Sequence, residues 1–153
     1  MSKEVIPYGK HFIDEDDIGA VVDVLKNHPL TQGHIVNSFE ESIANFVGAK
    51  FAVAMSSWTA GLHMACLAAG VKEDDLVATS PITFVASSNS ALYCQAKPVF
   101  TDICEETINM CPNELDKTLR ENKRVKVIMP VHFAGLPCDM QSIKAIADKN
   151  GSL

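Results

Sequence analysis

The segment Ser56-Ser57-Trp58-Thr59-Ala60 is the part of this sequence best equipped to do chemistry. It lies between an apolar run, Phe51-Ala52-Val53-Ala54-Met55, and a stretch of helical texture from Gly61 to Ala69. Small hydroxyl residues where a strand passes into a helix gather free backbone N–H groups, side-chain OH groups and the positive helix end. That combination holds a phosphate. The plainer reading is that Ser56 and Ser57 only cap the helix, as such residues commonly do. Trp58, the single tryptophan, either lies over a flat ligand or packs as an ordinary side chain.

Two further loops carry candidate groups. After Thr79 the sequence runs Ser80-Pro81-Ile82-Thr83-Phe84-Val85-Ala86-Ser87-Ser88-Asn89. Pro81 restricts the turn, and Phe84 at a strand end is either a stacking surface for a planar ring or a core residue. After Met129 comes Pro130-Val131-His132-Phe133-Ala134-Gly135-Leu136-Pro137, where His132 either meets a ligand or serves structure. His11, His28, His34 and His63 share no ligand spacing, so no metal site is expected. The chain has no Gly-x-Gly-x-x-Gly after its first strand, no Gly-x-x-x-x-Gly-Lys-[Ser/Thr] and no Gly-x-Ser-x-Gly. Dinucleotide, P-loop and hydrolase-elbow readings are therefore disfavoured.

The elements that must position these loops follow from periodicity. Asp14 can cap a first helix, with Glu15, Asp16 and Asp17 in its first turn and Ile18, Val21, Val22 and Leu25 on one face; Pro29 ends it. A second helix is carried by Val36, Phe39, Ile43 and Phe46, with Gly48 as its stop. Short apolar runs then alternate with helical stretches. Strands are expected at 51–55, 76–79, 98–101 and 125–129, and helices at about 59–69, 83–94, 112–120 and 139–149. Continuous apolar strands linked by helices mean an α/β fold with a parallel sheet covered on both faces. Ligands bind such sheets at the strands' carboxyl ends, which is where the three loops fall.

Composition narrows the class of function. A chain of 153 residues with 47% apolar content can bury a real core. Its net charge of −6 argues against nucleic acid or an acidic membrane surface as partner, so any bound phosphate must be held by amides and hydroxyls. No apolar run approaches the roughly 18–20 residues of a membrane span, and Met1-Ser2-Lys3-Glu4 opens no signal peptide. The five cysteines (Cys66, Cys94, Cys104, Cys111 and Cys138) form no CxxC pair and read as free thiols of a reducing cytoplasm.

Taken together, the segments Leu30-Thr31-Gln32-Gly33, Val47 to Ala54, Ser56 to Leu62, Ser80 to Ala86, Ala96 to Ile103 and Pro130-Val131-His132 resemble the DegT/DnrJ/EryC1/StrS nucleotide-sugar aminotransferases. The resemblance covers nearly the whole chain in order. It implies a pyridoxal 5′-phosphate (PLP) enzyme of fold type I, with residues 1–34 forming an N-terminal helix and substrate loop and 35–153 an incomplete cofactor-binding large domain. Within the family, Thr79 to Ser87, Leu92-Tyr93-Cys94 and Leu136 to Met140 look most like the pseudaminic-acid-pathway members, which aminate C4 of a UDP-linked 4-keto-6-deoxy-N-acetylhexosamine.

Carried over by position, Thr59 with the Trp58 and Ala60 amides holds the cofactor phosphate, and Phe84 stacks on the pyridine ring. His132 sits beside the active site, and Thr31 and Gln32 lie near the sugar. Two departures stand out. The family usually has Gly or Ala at Trp58, and commonly Gln at Leu136. The resemblance also places the aspartate that pairs with the ring nitrogen and the lysine that binds the cofactor beyond Leu153. No catalytic residue is therefore expected in this chain, and alone it should not transaminate.

The expected partners are a UDP-linked keto sugar, an amino donor such as glutamate, and further copies of the chain, as a homodimer or an aggregate formed through an exposed sheet edge. A competing reading makes the chain a truncated or split-gene remnant without catalysis. Another makes it a family member acting at C3 or dehydrating its sugar.

Overall fold

The computed structural model describes residues 9–153. The opening segment, read above for a leader, lies outside the described residues. The chain divides into two compact units, Met1–Ala54 and Met55–Leu153.

The first unit contains α1 (Glu15–Asn27) and α2 (His34–Val47). Asp14 caps α1 through a reciprocal box: its side chain accepts from the Asp16 and Asp17 amides, and Asp17 returns a bond to the Asp14 amide. Gly48 ends α2 in the left-handed conformation at φ 69°, which glycine adopts without the Cβ penalty. The strand expected over 51–55 does not form. These residues carry no ladder hydrogen bonds, Phe51 and Val53 are exposed, and the Ala54 amide donates instead to Glu40 Oε1 at 2.7 Å. An apolar run signals a demand for burial; it becomes a strand only where another strand's edge takes up its backbone groups.

The second unit contains α3 (Trp58–Ala68), β1 (Leu76–Thr79), α4 (Ala86–Tyr93), β2 (Lys97–Phe100), α5 (Pro112–Glu121), β3 (Val125–Met129), a 3₁₀ turn (Phe133–Gly135) and α6 (Met140–Asn150). The sheet has three strands in the order β2-β1-β3, both pairings parallel, with Thr79 opposite Phe100 on one side and Met129 on the other. The chain leaves β1 in one direction to reach β2, then crosses back past β1 to β3. Right-handed crossovers therefore put α4 and α5 on opposite faces.

The packing agrees with that handedness. Val77 looks to one face, with Cys66 of α3 and Ala91 of α4; Ala78 looks to the other, with Leu115 and Leu119 of α5 and Ile143 and Ala147 of α6. β1 is thus covered on both sides, as its unbroken apolar sequence requires. Lys126 joins layers at the sheet's base, its Nζ donating to the Gly70 carbonyl at 2.5 Å and lying 3.6 Å from Asp75. Leu153 runs along β3, donating to the Lys126 carbonyl at 2.9 Å and accepting from the Ile128 amide at 2.8 Å, the spacing of a parallel ladder.

Most boundaries fall within a residue or two of expectation. The exception is the helix expected from Thr83, which starts at Ala86. Pro81 bars its predecessor from helical conformation, and the intervening residues spend their backbone on a turn in which the Ser87 amide reaches Phe84 O at 3.1 Å. No helix among the described residues is long and apolar enough to cross a membrane.

Candidate active site

Reversal of direction at β1 opens a crevice at the carboxyl ends of β1 and β3, where doubly wound sheets bind ligands. Thr79 Oγ1 donates to the Met129 carbonyl at 3.0 Å and fixes the two strand ends against each other. Above them lies a cavity of about 700 Å³ whose lining includes Trp58, Phe84, Ser87, Met129, His132 and Phe133. No Lys, Arg, Asp or Glu is among its lining residues.

The first wall is the start of α3. Ser57 is the N-cap, its Oγ accepting from the Ala60 amide at 3.1 Å, so the capping reading of this serine is correct. That bond occupies the Ala60 amide. The Trp58 and Thr59 amides, like those of any first turn, have no intrahelical acceptor and remain open to an anion. Thr59 and Ala60 are half-buried in this turn. The Trp58 side chain is 80% exposed, so the indole projects into solvent and leaves the backbone accessible.

Phe84 supplies the second wall. It is 70% exposed, which removes the core reading and leaves an aromatic face open to the cavity. The turn beneath it is held by the Thr83 and Ser87 hydroxyls, 3.1 Å apart. One residue past β1, Ser80 is 1% exposed, and its hydroxyl has no hydrogen-bond partner among the described residues.

His132 forms the third wall. Its Nδ1 accepts the Cys138 backbone amide at 3.0 Å. A backbone N–H can only donate, so the neutral ring carries its proton on Nε2. Cys138 Sγ donates to the Val131 carbonyl at 3.1 Å, and burial pushes this thiol's pKa up.

Of the residues singled out from sequence, Trp58, Phe84 and His132 line one cavity, with Thr59 and Ala60 in the adjoining turn. Thr31 and Gln32 lie in the first unit, exposed in the loop between α1 and α2. Sequence reasoning missed Asn109. This residue is 3% exposed; its Oδ1 accepts from the Phe133 amide and its Nδ2 donates to the Leu136 carbonyl, both at 2.9 Å. Its partners lie 24 and 27 residues downstream, and a lone Asn in a turn-rich stretch carries no local sign of them.

Comparison with known proteins bears on what this crevice is. The DegT/DnrJ/EryC1/StrS aminotransferase family matches residues 11–152. The spore coat polysaccharide biosynthesis protein SpsC of Bacillus subtilis is 41% identical over 146 residues, covering 95% of this chain and 37% of SpsC. A putative sugar aminotransferase of Streptococcus pneumoniae, Spr1654, solved in a PLP form, superposes with a TM-score of 0.87 at 28% identity, covering 94% of this chain and 36% of that one. Helicobacter pylori PseC, an aminotransferase of pseudaminic acid biosynthesis, gives a TM-score of 0.85 at 30% identity, covering 95% and 39%. The chain therefore spans a little over a third of the length of these relatives. That family match, over almost the whole chain, shows that the chain belongs to the DegT/DnrJ/EryC1/StrS aminotransferase family.

Proposed function

We propose that this chain supplies the phosphate-holding and ring-stacking part of a PLP-dependent transaminase site that acts on a nucleotide-linked 4-keto-6-deoxy sugar in amino-sugar biosynthesis. The observation that carries the reading is the convergence of the α3 N-terminus, Phe84 and His132 on one cavity at the strand ends. The groups present fit the cofactor. Its phosphate would meet the Trp58 and Thr59 amides, the Thr59 hydroxyl and the helix dipole, a neutral donor set suited to a cavity without charged walls. Its pyridine ring would find the open face of Phe84. The cavity lies within the roughly 300–1,000 Å³ range of small-molecule sites. When bound, PLP supplies an electron sink at the carbon that exchanges its amino group.

This chain's own residues bind and orient. His132 presents an Nε2–H donor, and Trp58, Phe84 and Phe133 narrow the water-accessible mouth. No lysine is among the lining residues, so the part this chain takes in the reading is to bind and orient. The pseudaminic acid biosynthesis named for PseC, with the segments noted in the sequence, supports a substrate of the pseudaminic-acid type; the UDP link and glutamate as donor rest on the sequence resemblance. Thr31 and Gln32 would belong to the sugar side. The reading also includes a homodimer, which sedimentation tests directly: a monodisperse monomer at high concentration removes that part.

The cofactor claim is tested by calorimetric titration with pyridoxamine 5′-phosphate, which cannot condense with surface lysines. Saturable one-site binding is expected, much weakened for pyridoxamine without its phosphate. Equal binding of the two compounds, or none of either, overturns the reading.

A further inference from the structure

We propose that Asn109 is a positioning residue for His132: by clamping both ends of the 133–136 turn, it holds the imidazole with Nδ1 on the Cys138 amide and Nε2–H as its donor toward the cavity. Asn109 precedes Met110, which bridges antiparallel to Ile103, and its backbone carbonyl accepts from the Cys104 amide at 2.9 Å. The side chain therefore projects from an anchored backbone and is itself almost wholly buried.

The turn it holds is not self-sustaining. Ala134 and Gly135 both have positive φ, 51° and 84°, a left-handed conformation that is unfavourable at alanine because of its Cβ. Within the turn, the Gly135 amide reaches His132 O at 3.2 Å and the Leu136 amide reaches Phe133 O at 3.0 Å. The outward groups, the Phe133 amide and the Leu136 carbonyl, are the two that Asn109 takes. A carboxamide offers a donor and an acceptor side by side on separate atoms; ionised Asp lacks the donor, Leu lacks both, and the single oxygen of Ser is too short to reach both groups. His132 sits immediately before this turn and Cys138 immediately after Pro137, so the Nδ1 bond closes only when the turn keeps its width. The inference depends on the cofactor reading solely for what the Nε2–H meets; the clamp and the tautomer are independent of it.

The test uses the full chain labelled with ¹⁵N-histidine, with His132 assigned by its loss in His132→Gln. Long-range ¹⁵N–¹H correlation reads the tautomer. The wild type is expected as a single Nε2–H species. Asn109→Asp keeps the acceptor for the Phe133 amide and loses the donor to the Leu136 carbonyl. In it the His132 ring should show a mixed tautomer population, and the Leu136 and Cys138 amides should exchange about tenfold faster, the effect of losing one hydrogen bond of ordinary strength. The other histidines should not change. Should the Asp variant fail to fold, Asn109→Ser, which is smaller and keeps one hydrogen-bonding atom, is read in the same way.

A folded variant with His132 still purely Nε2–H and with unchanged exchange at both amides overturns the proposal. Binding of pyridoxamine 5′-phosphate separates the two claims. If the wild type fails to bind while the tautomer still responds to Asn109, the cofactor reading fails and the positioning role stands. If the wild type binds and Asn109→Asp alters neither tautomer nor exchange, the positioning role fails alone.

Discussion

Thr79 and Met129 are joined by a hydrogen bond that the backbone ladder does not provide: Thr79 Oγ1, fully buried, donates to the Met129 carbonyl at 3.0 Å. The bond lies at the lip of the crevice, where β1 and β3 part to release the Ser80 and Pro130 loops. Thr79→Val keeps the shape and removes the donor, leaving the part-buried Met129 carbonyl without this partner. The expected cost is about 1–3 kcal/mol, read as a lowered urea midpoint with unchanged slope. Thr79→Ser should recover most of it. A Val variant as stable as wild type would show that Met129 O finds another donor.

Phe84 and Trp58 both line the cavity and both are largely exposed, yet they should respond differently to truncation. Neither carries much of the fold, so each alanine variant should unfold within about 0.5 kcal/mol of wild type. Phe84→Ala removes the stacking face and should weaken pyridoxamine 5′-phosphate by up to about tenfold, the value of an aromatic stack. In the proposed site Trp58 would contribute through its amide, which Trp58→Ala retains, so that variant should bind within about twofold of wild type, a difference below that of one ordinary hydrogen bond. Calorimetry on the two variants checks both. If Trp58→Ala loses more affinity than Phe84→Ala, the indole, not the backbone, makes the contact.

What could be seen in the sequence divides along physical lines. Asp14, Gly48 and Gly151 act on backbone groups within a turn of themselves, so their types reveal the helix ends, and all three cap as their chemistry suggests. The succession of β1, β2 and β3 along the chain follows from apolar runs separated by helices; their order in the sheet does not. Phe51–Met55 has the same texture but does not pair, because the pattern records a side chain's preference and not a partner's presence. Phe84 was ambiguous between core and ligand face until its exposure was known. Asn109 was invisible, since its role consists of two contacts across the fold.

Asp139 gives a pH dependence whose sign is fixed. It caps α6, accepting from the Ser142 amide at 3.0 Å and from the Ser142 hydroxyl at 2.6 Å, and these bonds hold its carboxyl below the usual value of 3.8. The folded state therefore binds this proton less readily than the unfolded chain. Its stabilisation is complete above the unfolded value and is lost as pH falls below about 4 through the folded one. Asp139→Asn retains a capping oxygen without the titration. Acid unfolding followed by circular dichroism should show a shallower decline below pH 4 in Asp139→Asn than in wild type. Parallel curves would mean that other carboxylates govern the acid limb.

Cys111 and Cys104 should differ in reactivity although they share one small loop and similar partial exposure. Cys111 is the N-cap residue of α5. Its sulfur accepts no hydrogen bond of ordinary geometry from the first turn, yet the nearby Glu114 amide favours the thiolate and holds its pKa below 9.0. Cys104 pays the reciprocal cost: its thiol interacts with the Cys111 sulfur and is pushed up to about 11. The thiolate is the species that reacts, so Cys111 has the larger reactive fraction at pH 7.5. Cys66, Cys94 and Cys138 are buried and should lag behind both. Iodoacetamide labelling followed by peptide mass spectrometry should therefore mark Cys111 first, with Cys104 slow until the pH approaches its own raised value. In Cys111→Ser the thiol neighbour is gone, and the labelling midpoint of Cys104 should fall back toward 9. If Cys104 is labelled before Cys111, or its midpoint does not move in Cys111→Ser, the pairing of the two thiols is refuted.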